Sequence, residues 1–314
     1  MKKVFTRTTS KRDRAKKKKG SIKLLCEMFG ISRQAYYKRQ QKLAQLEEER
    51  DVILNLIRPI RKKMYRVGTI KLYDMIKQDM SNNNIKLGRD KLFSFLRQEK
   101  MLVKKKKNYT KTTNSFHRFR KHKNLIKGLE VTAPEQVWVS DITYIKTEAG
   151  HEYLSLITDY YSKKIVGYHL ADNLKTESTI KALEMAIKSR KYPERFLIHH
   201  SDRGFQYCSD DYIAILTKNN IRPSMTEEYD PYENAIAERV NGILKDEFDI
   251  AEGFINHVQA VKEIKYVIET YNTFRPHFSC EMMTPEQAHE FGTYKLKKWG
   301  GKKKYQLKHK SAEL

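Results

Sequence analysis

The sequence predicts an α/β fold, with a mixed sheet flanked by helices that follows an all-α N-terminal part. Two observations lead to this prediction. Up to about residue 103, apolar residues recur at helical spacing; from about Ala133, short runs rich in β-branched and aromatic residues alternate with helical segments. Strands that alternate with helices are typical of sheets with helical layers on their faces.

The composition indicates a polyanionic partner. The chain has 63 Lys and Arg against 38 Asp and Glu, a net charge of +25 and a pI near 9.7. Its 314 residues suffice for two or three domains. Because mean hydropathy is −0.75 and no long apolar run occurs, we expect neither a membrane span nor a secretory signal. The three scattered cysteines predict free thiols in a reducing cytoplasm.

Charge runs and composition shifts predict six segments. They are a basic N-terminal arm (1–20), a helix-turn-helix with a connector helix (21–57), a second helix-turn-helix-like unit (58–103), a basic linker (104–132), a catalytic core (133–292) and a basic C-terminal tail (293–314). The arm is either a solvated tail or a segment that contacts phosphates. The linker has few apolar residues, so it could become ordered along a phosphate backbone.

The N-terminal part contains two candidate DNA-binding units. In the first, a turn at Gly30 joins two short helices, and Ser32 caps the second. A polar, basic second helix is typical of a recognition helix in the major groove. The second unit has a polar turn over 81–84 and a helix that begins near Arg89. The alternative for both is a plain helical bundle with solvated charges. The candidate DNA contacts are Arg33, Gln34, Tyr37, Lys38, Arg89 and Lys91.

The core is predicted to begin with three strands close enough in sequence for an antiparallel meander. A helix, a strand, a helix, a strand and two helices follow. The predicted strands span 136–145, 153–158, 165–170, 196–200 and 221–225, and the predicted helices span 177–190, 212–219, 234–248 and 258–273.

Three widely spaced acids are the candidate catalytic residues. Asp141 lies in the first strand, Asp202 follows the fourth strand, and Glu238 lies on a helix. Taken singly, each is more often a turn, cap or surface residue. If the first and fourth strands are neighbours, however, the carboxylates converge at one edge of the sheet. Oxygen ligands suit Mg²⁺, and two such ions can serve phosphodiester chemistry.

The acids and their flanks resemble a known family. Between Asp202 and Glu238 lie 35 residues, which resembles the DDE motif of the ribonuclease H-like integrase core. The flanking motifs resemble the IS-three family of insertion-sequence transposases, and the resemblance covers about residues 21–290. These motifs are Trp138-Val-Ser-Asp-Ile-Thr-Tyr144, His200-Ser-Asp-Arg-Gly-Phe-Gln-Tyr207, Leu244-Lys-Asp-Glu247, Tyr271-Asn272, Arg275-Pro-His277 and Thr284-Pro285.

The resemblance implies a DNA transposase with a site for two Mg²⁺ ions, or Mn²⁺ in their place, held by Asp141, Asp202 and Glu238. Such an enzyme binds terminal inverted repeats, exposes a 3′-OH at the element end and joins it to another phosphodiester through a circular intermediate. The implied partners are double-stranded DNA, further copies of the chain on paired ends and a helix-turn-helix protein from an upstream frame. The implied location is the bacterial cytoplasm, with the nucleoid.

Several neighbours of the acids receive roles from their positions. Lys245 lies seven residues after Glu238, on the same helix face, where it could contact a DNA phosphate. Asn241 and Asn234 lie near that face and are further candidate DNA contacts. We expect His200 and Asp159 to be structural, the second at a turn. Arg275-Pro-His277 is expected to stabilise the core, with a DNA role open.

The resemblance has departures. Glu233 stands where the family usually has Asp, Arg239-Val240 follows the catalytic Glu where Ser-Phe is usual, and Cys280 replaces an expected Leu. His117 and His122 are not followed by a cysteine pair, so the zinc module of retroviral integrases is not expected. Two alternatives stay open at this point: a non-catalytic protein that occupies inverted repeats, and a structure-selective ribonuclease H-like nuclease.

Overall fold

A computed structural model of the protein describes residues 21–103, 122–227, 234–294 and 296. The predicted basic arm lies outside these residues, as do most of the predicted linker and most of the C-terminal tail. The chain divides into two compact units, Met1–Pro59 with Ile76–Leu87, and Ile60–Met75 with Gly88–Leu314. The six-segment division remains a prediction. None of the helices in the described ranges combines the length and apolar character needed to cross a bilayer.

The N-terminal part is helical, as predicted. Its helices are α1 (Ser21–Met28), α2 (Arg33–Lys63), α3 (Thr69–Asn82) and α4 (Arg89–Gln98). Gly30 has a φ of +62°, as the turn requires, and Ser32 Oγ accepts a hydrogen bond of 3.1 Å from the Ala35 backbone N–H.

The prediction of a short second helix followed by a separate connector is wrong. Helix α2 runs through both segments for 31 residues. Residues 33–58 contain neither Gly nor Pro, so nothing in the local sequence ends the helix at residue 40. Pro59 lies in the last turns of the same helix.

The core is a five-stranded mixed sheet, which confirms the predicted α/β class. Its strands are β1 (Val137–Thr147), β2 (Gly150–Asp159), β3 (Ile165–Ala171), β4 (Leu197–Ser201) and β5 (Ile221–Met225). They lie in the order β3-β2-β1-β4-β5. The first three form the predicted antiparallel meander, and β4 pairs in parallel with both β1 and β5.

In the part of the core that the structure describes, six α-helices accompany the sheet: α5 (Thr176–Lys188), α6 (Phe205–Cys208), α7 (Asp210–Lys218), α8 (Ala235–Glu247), α9 (His257–Thr273) and α10 (Pro285–Phe291). The two that the sequence did not predict, α6 and α10, span four and seven residues, which is too short for a helical period to be visible. A capping box formed by Thr284 and Gln287 begins α10, which explains the Thr284-Pro285 motif.

Alternation along the strands separates two apolar layers. Trp138 packs with residues of α5 and α7 on one face, whereas Ile145, Leu154 and Leu156 pack with α8 and α9 on the other. All three cysteines are buried free thiols, as predicted. The sheet therefore lies between two helical layers, and α8 covers one face of β1.

Asp159 is structural, as predicted. It is fully buried at the end of β2, and its carboxylate accepts hydrogen bonds from the backbone N–H of Glu135 at 2.7 Å and from the N–H and hydroxyl of Ser162, both at 2.8 Å. These bonds close the turn between β2 and β3.

Glu135, just before β1, is a buried carboxylate that ties loops to the core. It accepts hydrogen bonds from the backbone N–H groups of Lys191 (2.6 Å) and Tyr192 (3.1 Å) and from the Arg190 guanidinium (3.2 Å), and it contacts the His289 ring at 3.4 Å. Burial opposes its ionisation, but the hydrogen bonds from His289, the two backbone groups and Arg190 outweigh this and lower the pKa of Glu135 to about 2.

We therefore expect Glu135→Gln to destabilise the core in a pH-dependent manner. A carboxyl whose pKa falls from 4.5 to about 2 on folding contributes about 3 kcal/mol above pH 4.5. That contribution is lost as pH falls from 4.5 towards 2, so the two proteins should differ at pH 7 and converge near pH 2. Denaturant unfolding across this range measures it, with the exposed Glu184→Gln as control. A difference in unfolding free energy between the two proteins that is the same at pH 7 and pH 2 would contradict the assignment.

Candidate active site

The strand register places Asp141 and Asp202 side by side. Ser140 in β1 pairs with Ser201 in the parallel neighbour β4, and each of these residues is followed directly by one of the two acids. The condition set by the sequence, that the first and fourth strands be neighbours, is therefore met.

Helix α8 presents a polar face to this edge. Glu238, Asn241 and Lys245 follow each other at intervals of three and four residues and so lie on one face. The side-chain amide of Asn241 donates a hydrogen bond of 2.7 Å to Asp141 Oδ2, and that of Asn234 donates one of 3.1 Å to the Ser140 carbonyl. The two amides attach α8 to the strand that carries Asp141.

The electrostatics show that the three acids repel each other. Burial and then the charge of Asp202 raise the pKa of Asp141 to about 7, against the opposing hydrogen bonds from Asn241 and the Ile142 backbone. Glu238 adds a smaller repulsion of its own, and burial together with Asp202 raises the pKa of Glu238. A site with mutually repelling carboxylates is stabilised by a cation.

The donor set fits a hard divalent cation, because it offers carboxylate and amide oxygens. In the described part of the chain, no three His, Cys, Asp or Glu side chains are grouped closely enough to form a ready-made metal site. The carboxylates make protein contacts instead: Asp141 Oδ1 accepts the Ile142 N–H at 2.9 Å, and Asp202 Oδ1 accepts the Gly204 N–H at 3.0 Å. Asn241 Oδ1 is buried and has no hydrogen-bond partner within the described ranges.

Lys245 is partly buried beside these acids. Burial lowers the pKa of its ammonium group, while the charges of Asp141 and Asp246 act in the opposite direction. Its position is therefore close enough to Asp141 for the two charges to interact, one helical turn beyond Asn241.

A buried polar chain behind β1 was missed in the sequence. His199 Nε2 lies 2.6 Å from Ser140 Oγ and 2.9 Å from the Tyr212 hydroxyl, so the ring is within hydrogen-bond distance of both hydroxyls. Burial, together with the neighbouring His200, lowers the pKa of His199 to about 3 and keeps the ring neutral. The ring of His200 is also buried and contacts Ser224 Oγ at 2.9 Å. The sequence signal for this chain was the His-His pair at the end of an apolar strand. Neighbouring strand residues face opposite sides of the sheet, and both sides of this sheet are covered, so both rings are buried.

The predicted DNA contacts other than Lys245 fall into two groups. Arg33, Gln34, Tyr37 and Lys38 on α2, and Arg89 and Lys91 on α4, are exposed. Asn234 and Asn241, in contrast, are buried and bound to β1, which leaves little of either side chain on the surface. Their role in DNA contact remains a prediction, while their support of β1 was not foreseen.

An ion-pair network joins two of the flanking motifs. Both carboxylate oxygens of Glu247 accept hydrogen bonds from Arg275, at 2.7 and 2.8 Å, and Lys71 donates one of 2.8 Å to the same carboxylate. Arg275 is 1 % exposed. Separately, the Asn272 side chain makes two hydrogen bonds of 2.9 Å to Ile165: its oxygen accepts from the backbone N–H, and its amide donates to the backbone carbonyl.

Comparison with known proteins gives the class and then the family. Integrase core domain models match residues 131–231 and 219–285, which together with the sheet define a ribonuclease H-like integrase core. A 31 kDa protein of insertion element IS600 from Shigella sonnei is 35% identical over 85% of this chain and 97% of its own length. Transposase InsF of insertion sequence IS3A from Escherichia coli K12 is 28% identical over 85% of this chain and 93% of its own length. The chain therefore belongs to the IS3 family of insertion-sequence transposases.

Solved structures with a similar fold include the integrase catalytic core domain of HTLV-2 in complex with magnesium. It shares 20% identity and a TM-score of 0.40 over 50% of this chain and 97% of that domain.

Proposed function

We propose that the chain is the catalytic transposase of its element. It binds the terminal inverted repeats and hydrolyses a phosphodiester at the element end, so that water breaks the bond and leaves a 3′-OH on the element. That 3′-OH then attacks a second phosphodiester, forming one bond to phosphorus as another breaks. The observation that carries this proposal is the register that sets Asp141 beside Asp202 beneath the face of α8 with Glu238.

The three acids would hold the divalent cations, for which Mg²⁺ is the expected ion and Mn²⁺ a substitute. Bound there, two such ions would supply activation of the attacking oxygen and charge stabilisation of the leaving oxygen. The chain's own residues set the positions: Asn241 orients Asp141 and the Gly204 N–H orients Asp202. Lys245 lies close enough to Asp141 to neutralise a DNA phosphate brought to the site.

The partners follow from the same proposal. Duplex DNA is the substrate, as repeat and as target, and a homo-oligomer of the chain assembled on paired ends would hold the two ends together. The exposed Arg and Lys residues at the start of α2 and α4 are the proposed repeat contacts. An upstream-frame helix-turn-helix protein is a further proposed partner, and the nucleoid in the cytoplasm is the proposed location.

The test is cleavage of an end-labelled duplex that carries the inverted repeat flanking the gene. With Mg²⁺ or Mn²⁺, the wild-type protein should nick at the repeat end and leave a 3′-OH, and Asp202→Ala should not. The control Asp211→Ala, an exposed acid on α7, should cleave like wild type. Equal cleavage by wild type and Asp202→Ala would refute the proposal. Cleavage of junctions or hybrids without end specificity would indicate a structure-selective nuclease instead.

Binding to the repeat should weaken steeply with salt. Each phosphate that a cation neutralises contributes a slope of about −0.9 to a plot of log affinity against log salt. We expect Arg89→Ala and Lys91→Ala each to reduce the steepness by about 1 and to weaken binding. Fluorescence anisotropy from 50 to 300 mM salt, roughly the range in which such contacts dominate, measures this. The exposed Lys188→Ala on α5 is the matched control, and slopes that are identical in all variants would contradict the assignment.

A further inference from the structure

A cavity of about 1220 Å³ lies within the second unit, next to the face of α8 that carries Ile236, Val240 and Ile243. Glu238, Asn241 and Lys245 do not line it. The cavity is larger than the roughly 300–1,000 Å³ of ordinary small-molecule pockets. Because Glu238, Asn241 and Lys245 are not part of its wall, the cavity is separate from the acidic edge of the sheet.

The cavity wall is strongly cationic. Among the described lining residues, four are Lys or Arg (Lys71, Lys163, Arg239 and Arg275) and one, Glu130, is acidic. Glu247 compensates part of this charge, because it binds Lys71 and Arg275. Arg239 is exposed, and no ion pair is seen for it with any residue that the structure describes.

Most of these charges are buried. Lys71, Lys163 and Arg275 are 7%, 8% and 1% exposed. The Lys163 ammonium donates a hydrogen bond to the Tyr160 carbonyl, and its nitrogen lies 4.9 Å from the centroid of the Tyr160 ring. Burying cations without an equal number of anions is unfavourable, so an anionic ligand would stabilise this wall. Desolvation lowers the pKa of Lys71 and of Lys163 to about 8, although the charge of Glu247 acts in the opposite direction on Lys71 and that of Asp159 on Lys163.

A second, independent observation points to a ligand. His277 lines the cavity and is 7% exposed, and its Nε2 is buried with no hydrogen-bond partner in the described part of the chain. Buried polar atoms almost always have a partner, so an orphaned ring nitrogen beside a cavity requires an explanation. A ligand oxygen in the cavity would supply the missing partner.

We propose that this cavity binds a phosphate group, held by Lys163, Arg239 and His277 and carried by a nucleotide unit. Phosphate matches a cluster of Lys and Arg in charge and hydrogen-bond capacity. Tyr160 and Phe278 also line the cavity and are partly exposed, and aromatic rings of this kind provide stacking surfaces for a base. The nucleotide unit can come from a DNA strand or from a free nucleotide.

The site does not depend on the acids at the other face of α8, so its test can fail while the proposed function stands, and the reverse also holds. Inorganic phosphate is the first probe, titrated into the full chain without divalent metal and followed by calorimetry. Chloride at equal ionic strength is the reference.

We expect His277→Phe, Lys163→Met and Arg239→Met each to raise the dissociation constant for phosphate at least tenfold. Arg239 is exposed, so its variant should fold even if a buried replacement does not. Lys188→Met, which removes an exposed cation on α5, is the control and should bind like wild type. Phosphate binding that is absent, or equal in all of these proteins, would overturn the proposal.

Displacement of the bound phosphate identifies its source. Competition by duplex DNA in the wild-type protein assigns the site to a DNA backbone, and competition by a free nucleotide alone assigns it to a nucleotide. Displacement by neither overturns the proposal.

Discussion

Replacing Asp141 with Asn should reduce strand transfer by roughly 10³-fold or more. Asparagine keeps the shape of the side chain but removes the charge that would bind a divalent cation. A loss of about 4 kcal/mol of transition-state stabilisation corresponds to about 10³-fold in rate, which is within what a metal contributes. Single-turnover joining of a precleaved repeat end to target DNA measures the effect directly, because it bypasses the first cleavage.

The same substitution should leave the chain folded and, without metal, at least as stable as wild type. In wild type, a partly desolvated carboxylate lies beside Asp202 and repels it. Asp141→Asn removes this repulsion and keeps one oxygen, which can accept the Asn241 hydrogen bond; relief of the repulsion offsets the loss of the bond from the Ile142 N–H. Loss of joining together with loss of stability would mean that Asp141 is structural. The exposed Asp211→Asn should change neither property.

Replacing Arg275 with Met should destabilise the core by about 3–5 kcal/mol, because it leaves the largely buried Glu247 with one of its two cationic partners. Lys71→Met should cost less, since the two-bond contact with Arg275 would remain. Denaturant unfolding followed by the fluorescence of the fully buried Trp138, with Trp299 replaced by Phe, reports on the sheet.

The exposed Lys188→Met is the control and should change stability by less than about 0.5 kcal/mol. Joint replacement of Lys71, Arg275 and Glu247 by apolar residues should recover much of the loss, because none of the three buried charges of the network remains unpaired. A change below about 1 kcal/mol for Arg275→Met would show that the network contributes little.

Local patterns predicted the parts of the fold that depend on local physics. Gly30 and Ser32 marked a turn and a cap, and alternation identified the meander, because these features depend on a few neighbouring residues. The end of the second helix was not predictable in the same way, since the charged segment that follows residue 40 continues a helix as readily as it begins one.

Contacts between distant residues were beyond reach of the sequence. The motifs around Glu247 and Arg275 were visible as separate fragments, yet nothing local shows that they form one ion pair across 28 positions. Likewise, the sequence predicts that Asn241 contacts DNA, whereas the packing of α8 on β1 places its amide within hydrogen-bond distance of Asp141. The pairing of Ser140 with Ser201, which sets two acids side by side, depends on which strands become neighbours.

The central claim is that Asp141, Asp202 and Glu238 form one metal site. It is tested most directly by Mn²⁺ binding to the full chain without DNA, followed by electron paramagnetic resonance of the free ion. The account predicts that wild type and Asp211→Asn bind Mn²⁺ alike, and that Asp141→Asn, Asp202→Asn and Glu238→Gln each weaken binding at least tenfold. Wild-type affinity in any one of the three variants would remove that residue from the site, and wild-type affinity in all three would contradict the claim.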